Sequence, residues 1–220
     1  MEILVRRLKQ LFTGSLLPRV GNLITLHELC LDNNHLQGLL PTEVGMLANL
    51  MTLTLSSDSF IGVIPRELGT CSELATLDLD VNKLSGQIPK EIGNLPGLDY
   101  LVLSYNQFFG TVPDKVCSFA TDFNMPDSMF AHHFGVLNLL ITSLVAAIPG
   151  ELSALYNLIS LDLSQNALIG SIPSSLGELG RFKEIGNLPG LDCLVLFYNQ
   201  YFETIPDLIC WQLLMESGFQ

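Results

Sequence analysis

A 24-residue period runs through this chain and constrains its fold more than any other feature. Leu29-Cys30-Leu31, Leu53-Thr54-Leu55, Leu77-Asp78-Leu79 and Leu101-Val102-Leu103 follow one another at 24-residue steps, and Val5 stands one step before Leu29. Twelve residues after each first leucine comes a proline (Pro41, Pro65, Pro89, Pro113) and nine after it a glycine (Gly38, Gly62, Gly86, Gly110), with Gly14 extending the glycine column backwards. The phase resumes at Leu137-Asn138-Leu139 with Pro149, at Leu161-Asp162-Leu163 with Gly170 and Pro173, and at Leu194-Val195-Leu196 with Pro206. Eight units are visible, the first incomplete. A period of this length marks a solenoid: no unit buries its own leucines, and only stacking completes a core.

The parts of a unit follow from its residues. Leu-x-Leu alternates with period two, so it is a short strand with one buried face. Units of constant length stack those strands in parallel, about 4.8 Å apart. The proline fixes φ and removes a donor, steering the chain into a return segment with room for one helical or 3-10 turn. The expected fold is an α/β solenoid, a right-handed coil with a parallel β-sheet on its concave face and short helical or 3-10 turns on its convex face. Strands are expected near 27–31, 51–55, 75–79, 99–103, 135–139, 159–163 and 192–196, with residues 1–220 forming one repeat domain. Asn34, Asn82, Asn106, Asn166 and Asn199 recur where the chain leaves the strand. An amide both donates and accepts, so these residues are expected to satisfy backbone groups there. Asp58 and Thr142 take that place in two units. A carboxylate cannot donate and a hydroxyl is shorter, so those turns are expected to be weaker.

Three irregularities interrupt the period. Leu101 to Leu137 is 36 residues, and the excess lies within Phe119 to Phe130, FATDFNMPDSMF, which is expected to loop out. Leu161 to Leu194 is 33 residues. The segment Lys90 to Cys117 recurs as Lys183 to Cys210 with 21 of 28 positions identical. This reads as a duplication spliced in after Ser174-Ser175-Leu176-Gly177, which accounts for the nine-residue excess.

Composition removes several function classes. With 22 acidic and 10 basic residues the net charge is −12, which repels nucleic acid and anionic membrane surfaces alike. A chain 48% hydrophobic and 15% charged is not disordered. The most apolar window, Phe134 to Ile148, has fifteen residues, short of the roughly 18 a spanning helix needs. Arg6, Arg7 and Lys9 interrupt the first apolar stretch, so the start does not read as a secretory signal. Cys30, Cys71, Cys117, Cys193 and Cys210 form no CxxC pair, which argues against a zinc site or a disulfide framework. His27-Glu28 lacks the second histidine of a metalloprotease helix, Asp122-Phe123-Asn124 lacks kinase partners, and His132-His133 lacks further ligands. The chain is therefore expected not to be an enzyme, with no catalytic residue, metal or cofactor.

The unit Cys71 to Asn94 resembles the plant-type leucine-rich repeat, LxxLxxLxLxxNxLxGxIPxxLGx, and the resemblance extends over nearly the whole chain. Leu101 to Asn106, Met125-Pro126-Asp127, His132-His133, Gly135 and Ile148-Pro149 together resemble one segment of the excess-microsporocytes (multiple-sporocyte) leucine-rich repeat receptor kinases. That group perceives a small cysteine-rich secreted protein at the cell surface and signals through a cytoplasmic Ser/Thr kinase. The resemblance implies a ligand-recognising ectodomain fragment, extracellular or at the plasma membrane, with a secreted peptide or small protein and a co-receptor as partners.

Residues between and beside the leucines are expected to face outward from the concave sheet and form the binding surface. The candidates are Asp78, Asp80, Asp99, Tyr100, Val102, Ser104, Tyr105, Asp162, Gln165, Phe197 and Tyr198, centred on units four to seven. Aromatic anchors give rigid contact area, and carboxylates favour a basic partner. A second reading stays open: a truncated or rearranged gene product with a structural role or no independent function, which the duplicated segment favours.

Overall fold

The computed structural model describes residues 3–5, 12–117, 135–155, 157–177, 179 and 191–201. The segment FATDFNMPDSMF, Met125 to Asp127, His132-His133, and residues 183–190 and 202–210 of the second copy lie outside the described residues.

Each unit contributes two strands. In chain order they are β1 (Ile3–Val5) and β2 (Thr13–Gly14), β3 (Leu26–Cys30) and β4 (His35–Leu39), β5 (Thr52–Thr54) and β6 (Ser59–Gly62), and β7 (Thr76–Asp78) and β8 (Lys83–Gly86). The later units give β9 (Tyr100–Val102) and β10 (Gln107–Phe108), β11 (Val136–Asn138) and β12 (Val145–Ala146), β13 (Ser160–Asp162) and β14 (Ala167–Gly170), and β15 (Cys193–Val195) and β16 (Gln200–Tyr201). The odd-numbered strands form one parallel eight-stranded sheet in sequence order. Its register runs along the repeat leucines, Leu29 to Leu53, Leu77, Leu101, Leu137, Leu161 and Leu194. The two long spacings leave that register unbroken, since Leu101 pairs with Leu137 and Leu161 with Leu194.

The even-numbered strands form a second system, which the sequence reading did not foresee. β10, β8, β6, β4 and β2 make a five-stranded sheet, and β12, β14 and β16 a three-stranded one. Val145 N–H donates to Gly110 O at 2.9 Å across the join. Five of the minor strands, β4, β6, β8, β10 and β14, each bury an apolar residue in the core: Leu36, Phe60, Leu84, Phe108 and Leu168. Gly62 ends its strand at φ +78, and a Cβ there would lie 2.4 Å from Leu39 Cδ2. In the sixth unit the glycine column holds Ala146, which adopts φ 80 all the same.

Prolines open the return segments as expected. Pro41, Pro65, Pro89 and Pro149 precede 3-10 turns at Thr42–Met46, Arg66–Thr70, Lys90–Asn94 and Gly150–Ala154, while the fifth unit makes a short α-helical turn at Asp114–Cys117. Each 3-10 turn buries one apolar residue: Val44, Leu68, Ile92 or Leu152. Neighbouring turns touch backbone to backbone, for a Cβ on Gly69 would lie 2.4 Å from Glu91 O.

The asparagines form the ladder expected of them. Asn82 Oδ1 accepts from Phe60 N at 2.9 Å, and its Nδ2 donates to Leu55 O, Leu79 O and Asp80 O at 2.8, 3.2 and 3.1 Å. Asn106 repeats this with Leu84 N, Leu79 O, Leu103 O and Ser104 O. Asn34, Asn166 and Asn199 follow the same plan. One amide thus bonds up to four backbone groups at the point where the chain leaves the strand. At Thr142 the shorter side chain cannot span the gap alone, and its Oγ1 lies 2.9 Å from both Leu139 O and Asn166 Oδ1.

Candidate interaction surface

Two columns of side chains stand on the face of the large sheet turned away from the leucines. One runs Glu28, Thr52, Thr76, Tyr100, Val136, Ser160 by register, and the other Cys30, Thr54, Asp78, Val102, Asn138, Asp162. A third follows in the turns, with Asp32, Ser56, Asp80 and Ser104 one period apart.

Several acids on this face first serve the chain itself. Asp78 Oδ1 accepts from Asp80 N at 3.0 Å, and Asp162 Oδ1 accepts from Ser164 N at 2.9 Å and Ser164 Oγ at 2.6 Å, so both close the ends of their strands. Thr54 Oγ1 donates to Asp32 Oδ1 at 3.2 Å, and Ser104 Oγ donates to Asp80 Oδ1 at 2.5 Å, linking one unit to the next. Burial raises the carboxyl pKa of Asp78, the charges of Asp80 and Asp32 push the same way, and the Asp80 N–H opposes them. Burial also raises the Tyr100 phenol, helped by the charges of Asp78 and Asp80. Tyr100 therefore remains a protonated donor beside an acidic patch.

The expected site residues differ in exposure and in their place on the sheet. Tyr100 stands in β9 and is 38% exposed. Val102 and Ser104 share the outward columns but are 7% and 2% exposed, so they offer a ligand little surface. Val102 sits in register between Asp78 and Asn138, and the Ser104 hydroxyl is held by Asp80. Tyr105 lies beyond the end of β9 and not on its strand columns. Like Gln165 and Tyr198 it adopts a left-handed φ, at 51, 53 and 55° respectively. Strand alternation therefore does not set its direction, although it is 47% exposed. Asp99 precedes the strand, and its Oδ1 accepts from Gly135 N at 2.7 Å where the chain re-enters the stack after the long spacing. Phe197 and Tyr198 meet edge to face with ring centroids 5.1 Å apart.

A hollow of about 370 Å³ opens between units two and four, lined by Glu28, Cys30, Asp32, Asn33, Thr54, Ser56 and Asp78. Its acids other than Asp78 were not among the expected residues. The signal for them was periodic: Asp32 stands two periods before Asp80, and Glu28 two periods before Thr76. Among the described residues no group of three His, Cys, Asp or Glu side chains is placed to hold a metal, and no helix is long and apolar enough to cross a membrane.

Comparison with known proteins agrees with this architecture. Leucine-rich repeat family models match residues 48–108 and residues 25–47 and 157–179. No curated protein matches the sequence. Among solved structures, the plant peptide hormone receptor RGFR1 in complex with RGF2 is 31% identical with a TM-score of 0.77, over 90% of this chain and 28% of that one. The leucine-rich repeat ectodomain of the receptor kinase GASSHO1/SCHENGEN3 from Arabidopsis thaliana, in complex with CASPARIAN STRIP INTEGRITY FACTOR 2, is 30% identical with a TM-score of 0.78, over 90% and 21%. The Arabidopsis receptor kinase HAESA, in complex with the peptide hormone IDA and the co-receptor SERK1, is 32% identical with a TM-score of 0.76, over 90% and 30%. The chain thus spans less than a third of the length of each of these structures. It carries the leucine-rich repeat fold of plant receptor-kinase ectodomains.

Proposed function

We propose that this chain is a ligand-reading segment of the extracellular part of a plant receptor kinase or receptor-like protein, and that a secreted peptide or small protein lies along its large sheet. The observation that carries this reading is the acidic hollow of Glu28, Asp32 and Asp78, with Tyr100 one unit further along the same sheet and within the field of Asp78 and Asp80. The peptide hormones in the complexes of RGFR1 and HAESA support it, and the co-receptor beside HAESA supports a second partner. The acids favour a basic ligand and fast encounter, while Tyr100 offers an anchor with few rotamers to lose. Membership of the excess-microsporocytes group rests on the run from Leu101 to Pro149.

The test is titration of the purified chain with a fractionated plant apoplastic peptide pool, followed by the retained peptide against variants. Tyr100→Ala is expected to weaken binding at least tenfold, and Asp32→Asn/Asp78→Asn to slow association and flatten its salt dependence. Lys90→Ala, on the return turn, is expected to change nothing. Equal loss in all three variants would place the contact off this face. Failure to retain any peptide would favour the rearranged-gene reading.

A further inference from the structure

The asparagine ladder contains one residue of the wrong chemistry in the right pose. Asn34, Asn82 and Asn106 each accept, through Oδ1, the N–H of the residue 22 positions earlier. Asp58 does the same, its Oδ1 accepting from Leu36 N at 2.8 Å. In Asn82 and Asn106 the other side-chain atom, the amide nitrogen, donates to carbonyls 27, 3 and 2 residues back. The same register places Leu31, Leu55 and Ser56 at the corresponding positions for Asp58. There the amide is replaced by Oδ2, which is buried and has no hydrogen-bond partner. An ionised oxygen among carbonyl oxygens loses its hydration and gains only repulsion. A neutral carboxyl has one O–H, which supplies the donor that the ladder lacks at this rung.

We infer that Asp58 is a protonated rung: its carboxylic acid stands in for the asparagine amide, and its ionisation loosens the turn after β5 that carries Ser56 into the acidic hollow. On balance the surroundings favour the neutral carboxyl. Burial dominates and moves the carboxyl up to about 6, with the charge of Asp32 adding to it. The N–H groups of Leu36 and Asn34 and the charge of His35 pull the other way and do not prevail. In the unfolded chain an aspartate returns to about 3.9. The folded state therefore holds a proton that the unfolded state has lost over roughly pH 4 to 6, and stability falls as pH rises through that window before levelling off. This is the reverse of an ion-paired aspartate. The hollow is held more firmly in mild acid than at neutrality, whatever it binds.

The direct measurement is the 13Cγ resonance of Asp58 in the aspartate-labelled chain, assigned by its disappearance in Asp58→Asn. A midpoint near pH 6 is expected, and a midpoint below about 4.5 would overturn the inference. Thermal melting supplies the second readout. The parent chain is expected to lose a few degrees of Tm between about pH 5 and pH 7.5. Asp58→Asn, which restores the amide, is expected to melt higher than the parent at pH 7.5 and to lose most of that slope. Asp78→Asn and His35→Gln, measured alongside, separate the contributions of those two neighbours. An Asp58→Asn chain with the full parental slope would sink the idea. Should that variant fail to fold, the resonance in the parent chain decides alone.

Discussion

Ser104 donates its hydroxyl hydrogen to the Asp80 carboxylate of the preceding unit at 2.5 Å, and the serine is buried as a result. Two residues that strand alternation would offer to a ligand are thus committed to each other. The open face is partly a means of joining units, and only its less engaged members are free to recognise a partner.

This pairing has a measurable coupling. A double-mutant cycle of Ser104→Ala and Asp80→Ala, read by urea unfolding, is expected to give an interaction of about 1.5 kcal/mol, at the lower end for a bond to a charged group because Asp80 is only half-buried. Independent effects that simply add would show the bond contributes nothing.

The ladder should be among the costliest polar positions to disturb. Asn106→Ala leaves Leu84 N without its acceptor and takes a donor from Leu79 O and Leu103 O inside the stack, and a loss of about 2–4 kcal/mol is expected. Gln107→Ala, next in the chain but exposed, should cost less than about 0.5 kcal/mol. Similar midpoints for the two variants in urea would contradict the ladder's role.

Left-handed backbone at residues other than glycine stores strain that substitution can release. Ala146 at φ 80 occupies the glycine column, and Val81 at φ 49 is β-branched. Ala146→Gly is expected to stabilise by about 0.5–1 kcal/mol, and Val81→Asn, copying Asn33 of the second unit, by a similar amount. A lower Tm in either variant would mean that the side chain makes contacts worth more than the strain.

Where turns meet, no side chain fits. In Gly69→Ala the new methyl would lie 2.4 Å from the Glu91 carbonyl oxygen, a backbone atom that cannot swing aside. Overpacking of this kind is expected to cost about 1–3 kcal/mol. Gly97→Ala is the matched control, since a Cβ there meets nothing within 4 Å.

Much of this architecture is legible in the residues because one period writes the same instruction many times. Leu77 and Leu101 announce their strand and register, Pro65 and Pro89 their turns, and Asn82 its bonds. The minor strands escaped that reading. They are two to five residues long, too short for alternation to show, and their partners lie a full unit away. The face was harder still. Burial of Val102 depends on its neighbours in adjacent units, and the direction of Tyr105 on a left-handed turn that strand alternation does not encode. Asp58 was legible as a break in the ladder, and its buried, partnerless oxygen appeared only in three dimensions.

Leu137 lands on Leu101 although 36 residues separate them, where 24 separate its neighbours. Closing a path half as long again adds only about 0.4 kcal/mol of chain entropy, which a single buried leucine outweighs several times over. The coil therefore counts contacts and not residues, and its return arcs are natural ports of insertion.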